Sequence, residues 1–413
     1  MRLLYSLGIL LYGLLLRLIA PFHPKAKRWV EGRKDWYQHM SQTVEVGQKH
    51  IWFHFASLGE FEQGRAVLEE IKKNYPTKKI VITFYSPSGY EIRKNTALAD
   101  YVFYLPEDTA VNARNFMELL NPEFAVFTKY EYWYYFFREL GRRDIPLLMI
   151  SAIFRPQQIF FQPYGTFFRQ ILDNVSYFFV QNEESLHLLK ENGIRQVGVT
   201  GDTRFDRVVQ LPRTHRAIEE VKEFSGQQNV LIAGSTWPQD ETLLQDLMVK
   251  YPDWKLIIAP HEVQESHLST IKDLFPQALR FSQFSDYNKK HIQDAQVLII
   301  DNIGMLSALY AYGHIAYIGG GFGAGIHNTL EAATYGLPVI FGPKYHKYQE
   351  AKDLIEEGAG FSIGTAQQLG SVFDALQDDQ KRLTAAKHAK DYVRQHAGAT
   401  AIIMKYLVCK KLL

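Results

Sequence analysis

The clearest indication of the fold comes from residues 314–336, which read His-Ile-Ala-Tyr-Ile-Gly-Gly-Gly-Phe-Gly-Ala-Gly-Ile-His-Asn-Thr-Leu-Glu-Ala-Ala-Thr-Tyr-Gly. The apolar run 314–318 predicts a buried strand, five glycines follow within 319–325, and the pattern becomes helical from Asn328. This combination is typical of an anion site, because unpaired backbone N–H groups and the positive end of the helix dipole face the glycines. The stretch therefore indicates an α/β domain with a phosphate-binding loop.

Other interpretations of this loop remain open. A relaxed G-x-G-x-x-A dinucleotide fingerprint begins at Gly319, but Lys344 stands where that fingerprint requires an acid, which disfavours a nicotinamide or flavin site. A glycine turn can also simply pack a strand against a helix. Glu331 favours a ligand, because its carboxylate in the first helical turn can accept hydrogen bonds from ribose hydroxyls. Alternatively, Glu331 has only a structural role, as the capping partner of Asn328.

Length, charge and cysteine content limit the possibilities. A chain of 413 residues exceeds the usual size of one hydrophobic core, so two domains are expected. The 46 Lys and Arg nearly balance the 44 Asp and Glu, which gives no case for a nucleic-acid partner. Cys409 is the single cysteine, and no Cys/His cluster has zinc spacing. We infer a reducing, cytosolic setting without a structural metal.

The first 22 residues form a separate segment. Residues 3–20 are nearly all apolar, and a basic run with Lys25, Lys27, Arg28, Arg33 and Lys34 follows. At about 1.5 Å per residue such a helix barely crosses a hydrocarbon layer of about 30 Å, so a full span and a tilted or partly inserted anchor both remain open. A cleaved signal peptide competes, but no small-x-small cleavage site precedes the basic run. The cations suit anionic lipids, so we expect an uncleaved anchor with the body in the cytoplasm.

Two series of apolar runs alternate with helical stretches along the rest of the chain. The predicted strands are 50–56, 79–85, 101–105, 124–128, 146–151, 177–181 and 197–200, then 229–233, 255–259, 296–300, 314–318, 338–341 and 360–363. This alternation predicts the fold class α/β, with two Rossmann-like domains at 45–208 and 226–390, a linker between them and ligands at the carboxyl ends of the strands, in the cleft between the domains. A helix from about Asp374 to Leu413 is expected to end the chain, with 391–413 bracing the first domain.

Two carboxylates follow predicted strands of the first domain. Glu60 opens a helix after Ser57 and Gly59, where the helix dipole favours the ionised form that a general base requires. Ser57-x-x-Glu60 is equally a capping box, in which the carboxylate only accepts the Ser57 backbone N–H. Glu131 lies among aromatic residues that are themselves typical of a core, but a carboxylate is hard to bury without a partner.

Several further polar residues follow strands. Arg155 and Arg204 are candidates for binding an acidic substrate, or for surface ion pairs. Ser235 and Thr236 end a strand of the second domain, where their hydroxyls can cap a helix or hold a phosphate. His261 follows the next strand, and a lone histidine there is either structural or functional.

Eight short motifs in this order resemble the Kdo transferases, which move 3-deoxy-D-manno-octulosonic acid (Kdo) from CMP-Kdo to the lipid A precursor of lipopolysaccharide. The motifs are Ser57-Leu58-Gly59-Glu60, Tyr85-Ser86-Pro87-Ser88-Gly89, Leu105-Pro106-Glu107-Asp108, Gly201-Asp202-Thr203-Arg204-Phe205-Asp206, Ala233-Gly234-Ser235-Thr236, Ile258-Ala259-Pro260, Asp301-Asn302-Ile303-Gly304 and His327-Asn328-Thr329-Leu330-Glu331. The resemblance implies two facing Rossmann-like domains, the GT-B glycosyltransferase fold, an inverting reaction and membrane association. Together with the basic run after the apolar segment, it leads us to expect attachment to anionic lipids at the cytoplasmic face of the bacterial inner membrane. A metal is dispensable for such a reaction, because no Asp-x-Asp-like pair is placed to carry one, and no cofactor is expected.

The resemblance also implies roles for matching residues. Glu60 takes the place of the catalytic base. Glu131 takes the place of a second acid near the acceptor, and the glycine loop (Gly319, Gly320, Gly321) with Asn328 and Glu331 takes that of the CMP site. From their positions after strands, Ser57, Gly59 and Arg155 are also predicted to bind the acceptor, and Arg204, Ser235, Thr236 and His261 the donor. The chain departs from the family at several of these motifs, most notably where His261 replaces an arginine.

Two other functions fit the same motifs. Another nucleotide-sugar enzyme of this fold, such as a UDP-sugar transferase or epimerase, would share the glycine loop and Glu331. A non-catalytic membrane adaptor that kept the fold would not depend on Glu60.

Overall fold

The computed structural model describes residues 1–45, 47–214 and 217–413, and it divides into two compact units. Unit 1 comprises Met1–Arg207 and Ala397–Leu413, and unit 2 comprises Val208–His396. Each unit contains one sheet of seven strands within the described ranges, and every strand pair in both sheets is parallel. The predicted class, α/β with two Rossmann-like domains and an apolar N-terminal helix, is confirmed.

The sheet of unit 1 has the order β3-β2-β1-β4-β5-β6-β7. Its strands are β1 (His50–Phe55), β2 (Lys79–Phe84), β3 (Tyr101–Tyr104), β4 (Pro122–Thr128), β5 (Leu147–Ala152), β6 (Tyr177–Val180) and β7 (Val197–Val199). The helices are α1 (Arg2–Ile19), α2 (Pro24–Glu31), α3 (Trp36–Thr43), α4 (Leu58–Asn74), α5 (Pro87–Arg93), α6 (Ala110–Leu120), α7 (Tyr134–Arg142), α8 (Thr166–Leu172), α9 (Glu183–Glu191) and α10 (Arg204–Val208).

Both faces of this sheet are covered, which explains why its strands are apolar at nearly every position. Successive side chains of a strand point to opposite faces, so Trp52 packs in one core while Ile51 and Phe53 pack in the other. At about 25 cal/mol per Å² of apolar surface, burying such large side chains is the main stabilising contribution to unit 1.

Unit 2 repeats the architecture with the strand order β10-β11-β9-β8-β12-β13-β14. Its strands are β8 (Val230–Thr236), β9 (Lys255–Pro260), β10 (Leu279–Arg280), β11 (Val297–Ile299), β12 (Ile315–Ile318), β13 (Val339–Phe341) and β14 (Gly360–Ser362). The helices are α11 (Leu211–Thr214), α12 (Glu219–Ser225), α13 (Pro238–Lys250), α14 (Glu265–Leu274), α15 (Lys289–Asp294), α16 (Leu306–Leu309), α17 (Leu330–Thr334), α18 (Gln349–Glu356), α19 (Ala366–Gln377) and α20 (Asp379–Gln395), and α21 (Ala399–Cys409) returns to unit 1.

The prediction of one helix from Asp374 to Leu413 is wrong, because the structure has three helices there. Asp378 ends α19 in an extended conformation and caps α20 by accepting the Lys381 N–H at 3.0 Å. Gly398 separates α20 from α21 with a backbone φ of 127°, an angle that residues other than glycine rarely adopt. The apolar pattern continues through both breaks, so periodicity alone suggested one helix.

Candidate functional site

The carboxyl ends of β1 and β4 mark the point where strand order reverses in unit 1. Parallel sheets bind ligands in the crevice at such a point, because the loops there leave in opposite directions. Ser57, Gly59 and Glu60 directly follow β1, and Glu131 follows β4. Arg155 follows β5 at the same edge.

Ser57 and Glu60 are in direct contact at the start of α4. The Ser57 hydroxyl donates to the Glu60 Oε2 atom, and Ser57 is the extended N-cap residue of the helix. The capping box expected as an alternative would instead have Glu60 accept the Ser57 backbone N–H. Glu60 is half-buried and Gly59 is exposed, so this corner of the edge is open to a ligand.

Glu131 is fixed by two donors from different parts of unit 1. Its Oε2 atom lies 3.2 Å from His54 Nε2 and accepts a hydrogen bond from Trp133 Nε1 at 2.9 Å. His54 is completely buried on β1, and its Nδ1 atom lies 2.8 Å from the hydroxyl of Thr83 on β2. These contacts give Glu131 the partners that a partly buried carboxylate needs.

The pKa of Tyr130 is affected by three of the charged candidate residues of unit 1, which indicates that these residues lie near one another. Its pKa is raised chiefly by burial, and the charges of Arg155, Glu60 and Arg204 act on it as well. Arg204 donates to Asp202 through its Nε atom at 2.9 Å, which is the ion-pair alternative expected for this arginine. Arg155 is exposed. The edge therefore carries charges of both signs.

The glycine loop of unit 2 begins where strand order reverses between β8 and β12. A Cβ atom on Gly319 would lie 2.3 Å from the carbonyl oxygen of Ser235, and one on Gly321 would lie 2.6 Å from the backbone of Gly342. Only glycine permits these backbones to approach so closely. Ser235 has a φ of 55°, and Thr236 is buried with its hydroxyl donating to Glu241 at 2.8 Å.

A pocket of about 620 Å³ lies beside this loop within unit 2. Gly320 and His261, both predicted donor-binding residues, line it together with Trp237 and His327. The imidazoles of His261 and His327 stack with centroids 4.3 Å apart, and the Trp237 ring stacks on His261 at 4.9 Å. Burial lowers the pKa of His327 to about 4, and the neighbouring His261 adds to this shift. The pocket is thus lined mainly by glycines and aromatic rings.

A buried carboxylate holds the loop against the pocket. Asp240 accepts hydrogen bonds from the Gly320 N–H at 2.9 Å, the Tyr317 hydroxyl at 2.8 Å and the Trp237 N–H at 3.0 Å. Burial raises the pKa of Asp240. Because one carboxylate ties β12, the glycine loop and the start of α13 together, the shape of the pocket depends on it.

Asn328 and Glu331 lie after the loop, where helix α17 begins two residues later than the pattern predicts. The Asn328 side chain accepts the Leu330 N–H at 3.1 Å and donates to Glu331 Oε1 at 3.1 Å. Asn328 is exposed and Glu331 half-buried. The pair therefore presents one amide and one carboxylate next to the glycines.

Trp237, His327 and Asp240 are pocket residues that the sequence reasoning did not select. Trp237 and Asp240 flank Pro238 at the first turn of α13, a position typical of helix capping, which is the signal that could have found them. Within the described residues no group of three or more His, Cys, Asp or Glu side chains is arranged to hold a metal ion.

Comparisons with known proteins agree with the motifs. Residues 28–207 match a family model described as 3-deoxy-D-manno-octulosonic-acid transferase (kdotransferase). The 3-deoxy-D-manno-octulosonic acid transferase of Aquifex aeolicus is 25% identical over 83% of this chain and 90% of its own length. The enzyme of that name from Rickettsia bellii is 26% identical over 92% of this chain and 91% of its own length.

Solved structures resemble the fold over most of the chain. UDP-GlcNAc 2-epimerase from Neisseria meningitidis superposes with a TM-score of 0.63 at 18% identity, covering 87% of this chain and 100% of that one. MnaA from S. aureus superposes with a TM-score of 0.59 at 12% identity, covering 89% of this chain and 98% of that one. At these identities the likeness concerns the fold alone. The predicted resemblance to the Kdo transferase family is confirmed by the family model and the relatives.

Proposed function

We propose that this protein is an inverting glycosyltransferase that moves Kdo from CMP-Kdo to a lipid A precursor. One observation carries the proposal: the Kdo-transferase-like motif at residues 57–60, and the glycine loop that leads to the motif at residues 327–331, both follow strands at which sheet order reverses. Relatives named for this activity align over most of the chain, which supports the same conclusion.

Unit 2 is proposed to bind the donor. The backbone N–H groups of the glycine loop would contact the phosphate of CMP, whose negative charge increases as the bond to Kdo breaks. Glu331 would accept hydrogen bonds from the ribose hydroxyls, with Asn328 holding its carboxylate at 3.1 Å. CMP is a good leaving group, so its departure requires no protonation by the enzyme.

Unit 1 is proposed to activate the acceptor. Glu60 would take the proton of the acceptor hydroxyl while the hydroxyl oxygen attacks the anomeric carbon of Kdo and the bond from that carbon to the phosphate oxygen breaks. Because Ser57 occupies Oε2 of Glu60, we assign the proton transfer to Oε1. A single displacement from the face opposite the leaving group inverts the configuration and needs no covalent intermediate.

An aromatic series supports a lipid acceptor. Rings follow one another from Tyr12 of α1 to Trp29 at 6.1 Å, to Tyr85 at 5.9 Å and to Trp133 at 4.7 Å, and Trp133 donates to Glu131. A pocket of about 380 Å³ lies along the first three rings. We propose that acyl chains contact this surface while the basic run after α1 faces anionic lipids at the cytoplasmic face of the inner membrane.

Incubation of the purified protein with CMP-Kdo and a tetra-acylated lipid A precursor tests the proposal. Mass spectrometry should find the acceptor heavier by whole Kdo residues, and Glu60→Gln should abolish this product while still binding CMP. Product formation from a UDP-sugar in place of CMP-Kdo would contradict the proposed donor. Full complementation of a Kdo-transfer defect by the Glu60→Gln variant would instead indicate an adaptor.

A further inference from the structure

Helix α1 presents a continuous apolar face to its surroundings. Leu4, Leu11 and Leu18 lie on one line of the helix, seven residues apart, and are 63%, 55% and 64% exposed. The neighbouring leucines 3, 7, 10, 14 and 15 are also exposed. Among the described residues α1 is the one helix long and apolar enough to cross a membrane. Exposed leucine surface of this extent marks an interaction site.

The opposite face of α1 is half-buried against the rest of unit 1, and Gly13 is its one buried residue. The less exposed positions of the helix are Tyr5, Ser6, Ile9, Gly13 and Leu16. Tyr5, Ile9, Gly13 and Leu16 recur every three or four residues and Ser6 adjoins the first of them, so the five positions lie on one side of the helix. A Cβ atom on Gly13 would lie 2.4 Å from Glu107 Oε1, so the glycine is what allows this carboxylate to approach the helix.

Polar contacts fasten both ends of this half-buried face. Near the start of α1, the Tyr5 hydroxyl donates to Asp108 Oδ2 at 2.5 Å. Near its end, Arg17 donates to Glu107 Oε1 at 2.8 Å. These attachment points are separated by about 18 Å along the helix axis. Glu107 and Asp108 are neighbours in the chain, but α1 also contacts unit 1 at further points. Ser6 hydrogen-bonds with Tyr135 of α7, and Tyr12 packs on Trp29 of α2. The contacts therefore extend along α1, and its axis runs along the surface of unit 1.

A position across the bilayer would be unfavourable for this arrangement. Asp108 also accepts backbone N–H groups of Tyr135 and Phe136 at the start of α7, so it belongs to the folded body. If α1 stood at the centre of the hydrocarbon, Arg17, Glu107 and Asp108 would be carried toward it, and each charged group there costs several kcal/mol. A helix lying in the interface buries its leucines and leaves these groups on the protein side.

We propose that α1 binds the membrane lengthwise, with its leucine face in an anionic bilayer and its other face attached to unit 1, and does not cross the bilayer. The exposed cations Lys25, Lys27, Arg28 and Lys34 follow the helix directly and complement anionic headgroups. The inference rests on the membrane attachment proposed above, and it specifies the orientation of the helix and the kind of lipid surface bound.

Depth-dependent quenching tests the orientation. Cysteines introduced at Leu4, Leu11 and Leu18 in a Cys409→Ser background would each carry a small fluorophore, in the full-length protein bound to vesicles containing phosphatidylglycerol and lipids brominated at known depths. A helix in the interface should place all three labels at the same depth, about 5–10 Å into the headgroup and acyl boundary. A crossing helix would change depth by about 10 Å between successive labels, because each step is seven residues.

Each outcome has one meaning for the inference. Equal shallow depths support it, whereas a deepest label at Leu11, a steady change from Leu4 to Leu18, or no quenching at any position would overturn it. The unlabelled wild-type protein, assayed for Kdo transfer in detergent, separates this inference from the proposed function. Transfer with a crossing profile contradicts only the orientation of α1, and equal shallow depths without transfer contradict only the transferase assignment.

Discussion

The imidazole of His54 bridges Glu131 and Thr83, with Nε2 lying 3.2 Å from the Glu131 carboxylate and Nδ1 lying 2.8 Å from the Thr83 hydroxyl. Thr83 also accepts the indole N–H of Trp52 at 2.8 Å, and an indole nitrogen can only donate. Because a carboxylate can only accept, the contact between His54 and Glu131 has His54 Nε2–H as its donor. A donor on the buried strand β1 is thus directed at the carboxylate of the candidate acceptor site.

Two substitutions of His54 should differ in their effect on activity, and the difference tests whether His54 Nε2–H donates to Glu131. Glutamine places an amide N–H near the position of Nε2 and keeps the donor to Glu131, whereas asparagine is too short to reach it. Losing a hydrogen bond to a charged group costs about 1.5–3 kcal/mol, so His54→Asn should lower kcat/KM for the acceptor by about 10- to 100-fold. His54→Gln should keep most activity. Equal losses in both variants would show that packing of the ring, and not its Nε2 donor, is what matters.

Glu60→Gln should lower kcat by about 10²- to 10⁴-fold, because a general base contributes that much to a proton transfer. CMP affinity, measured by calorimetry, should not change. Glu69→Gln is a matched control on the same helix, where Glu69 pairs with Arg65 at 2.6 Å outside the candidate site. Retention of more than a tenth of the wild-type turnover by Glu60→Gln would remove Glu60 from the role of base.

The fold was predictable from the sequence because buried parallel strands are short apolar runs between turn residues. One strand escaped this rule: β10 contains only Leu279 and Arg280, too few residues for any pattern. The prediction of one long C-terminal helix was wrong for the opposite reason. The apolar pattern continues past Asp378 and Gly398, although the helix is interrupted at both residues.

The candidate site was less predictable, because its relationships cross between strands and loops. Glu60 and Glu131 were found since each directly follows a strand. The support of Glu131 by His54 depends on the register that places His54 opposite Thr83, which no local pattern contains. Likewise Trp237, His261 and His327 come from three separate segments and meet only in the folded pocket.

Gly319→Ala should damage unit 2, whereas Gly323→Ala should be tolerated. The added methyl group meets the Ser235 carbonyl oxygen at 2.3 Å in the first case, and only the Gly320 carbonyl oxygen at 3.6 Å in the second. Because backbone cannot move aside cheaply, we expect Gly319→Ala to lower the free energy of unfolding by about 1–3 kcal/mol and to weaken CMP binding. Thermal melts with and without CMP measure both effects. Indistinguishable melts for the two variants would contradict the close approach of β8 to the loop.

His327 should make the stability of unit 2 depend on pH. The Trp237 indole donates to His327 Nε2 at 3.3 Å, so this nitrogen must remain unprotonated, and burial lowers the pKa of the ring to about 4. An unfolded histidine has a pKa of about 6.5, so between these values the unfolded chain binds the proton that the folded chain excludes. The free energy of unfolding should therefore fall as the pH decreases from about 6.5 to 4, by at most about 3 kcal/mol and by less if water screens the partly exposed ring.

His327→Gln separates this contribution from those of other groups. Glutamine can still accept the Trp237 N–H through its side-chain oxygen but does not titrate, so the variant should lose less stability than the wild type over the same pH range. Chemical denaturation at pH 7.0, 5.5 and 4.5 gives the difference, with His187→Gln as the control because His187 lies on α9 of unit 1, apart from the pocket. Parallel pH profiles for the wild type and His327→Gln would mean that the ring carries the same proton in the folded and unfolded states, and the neutral, stacked pocket would have to be abandoned.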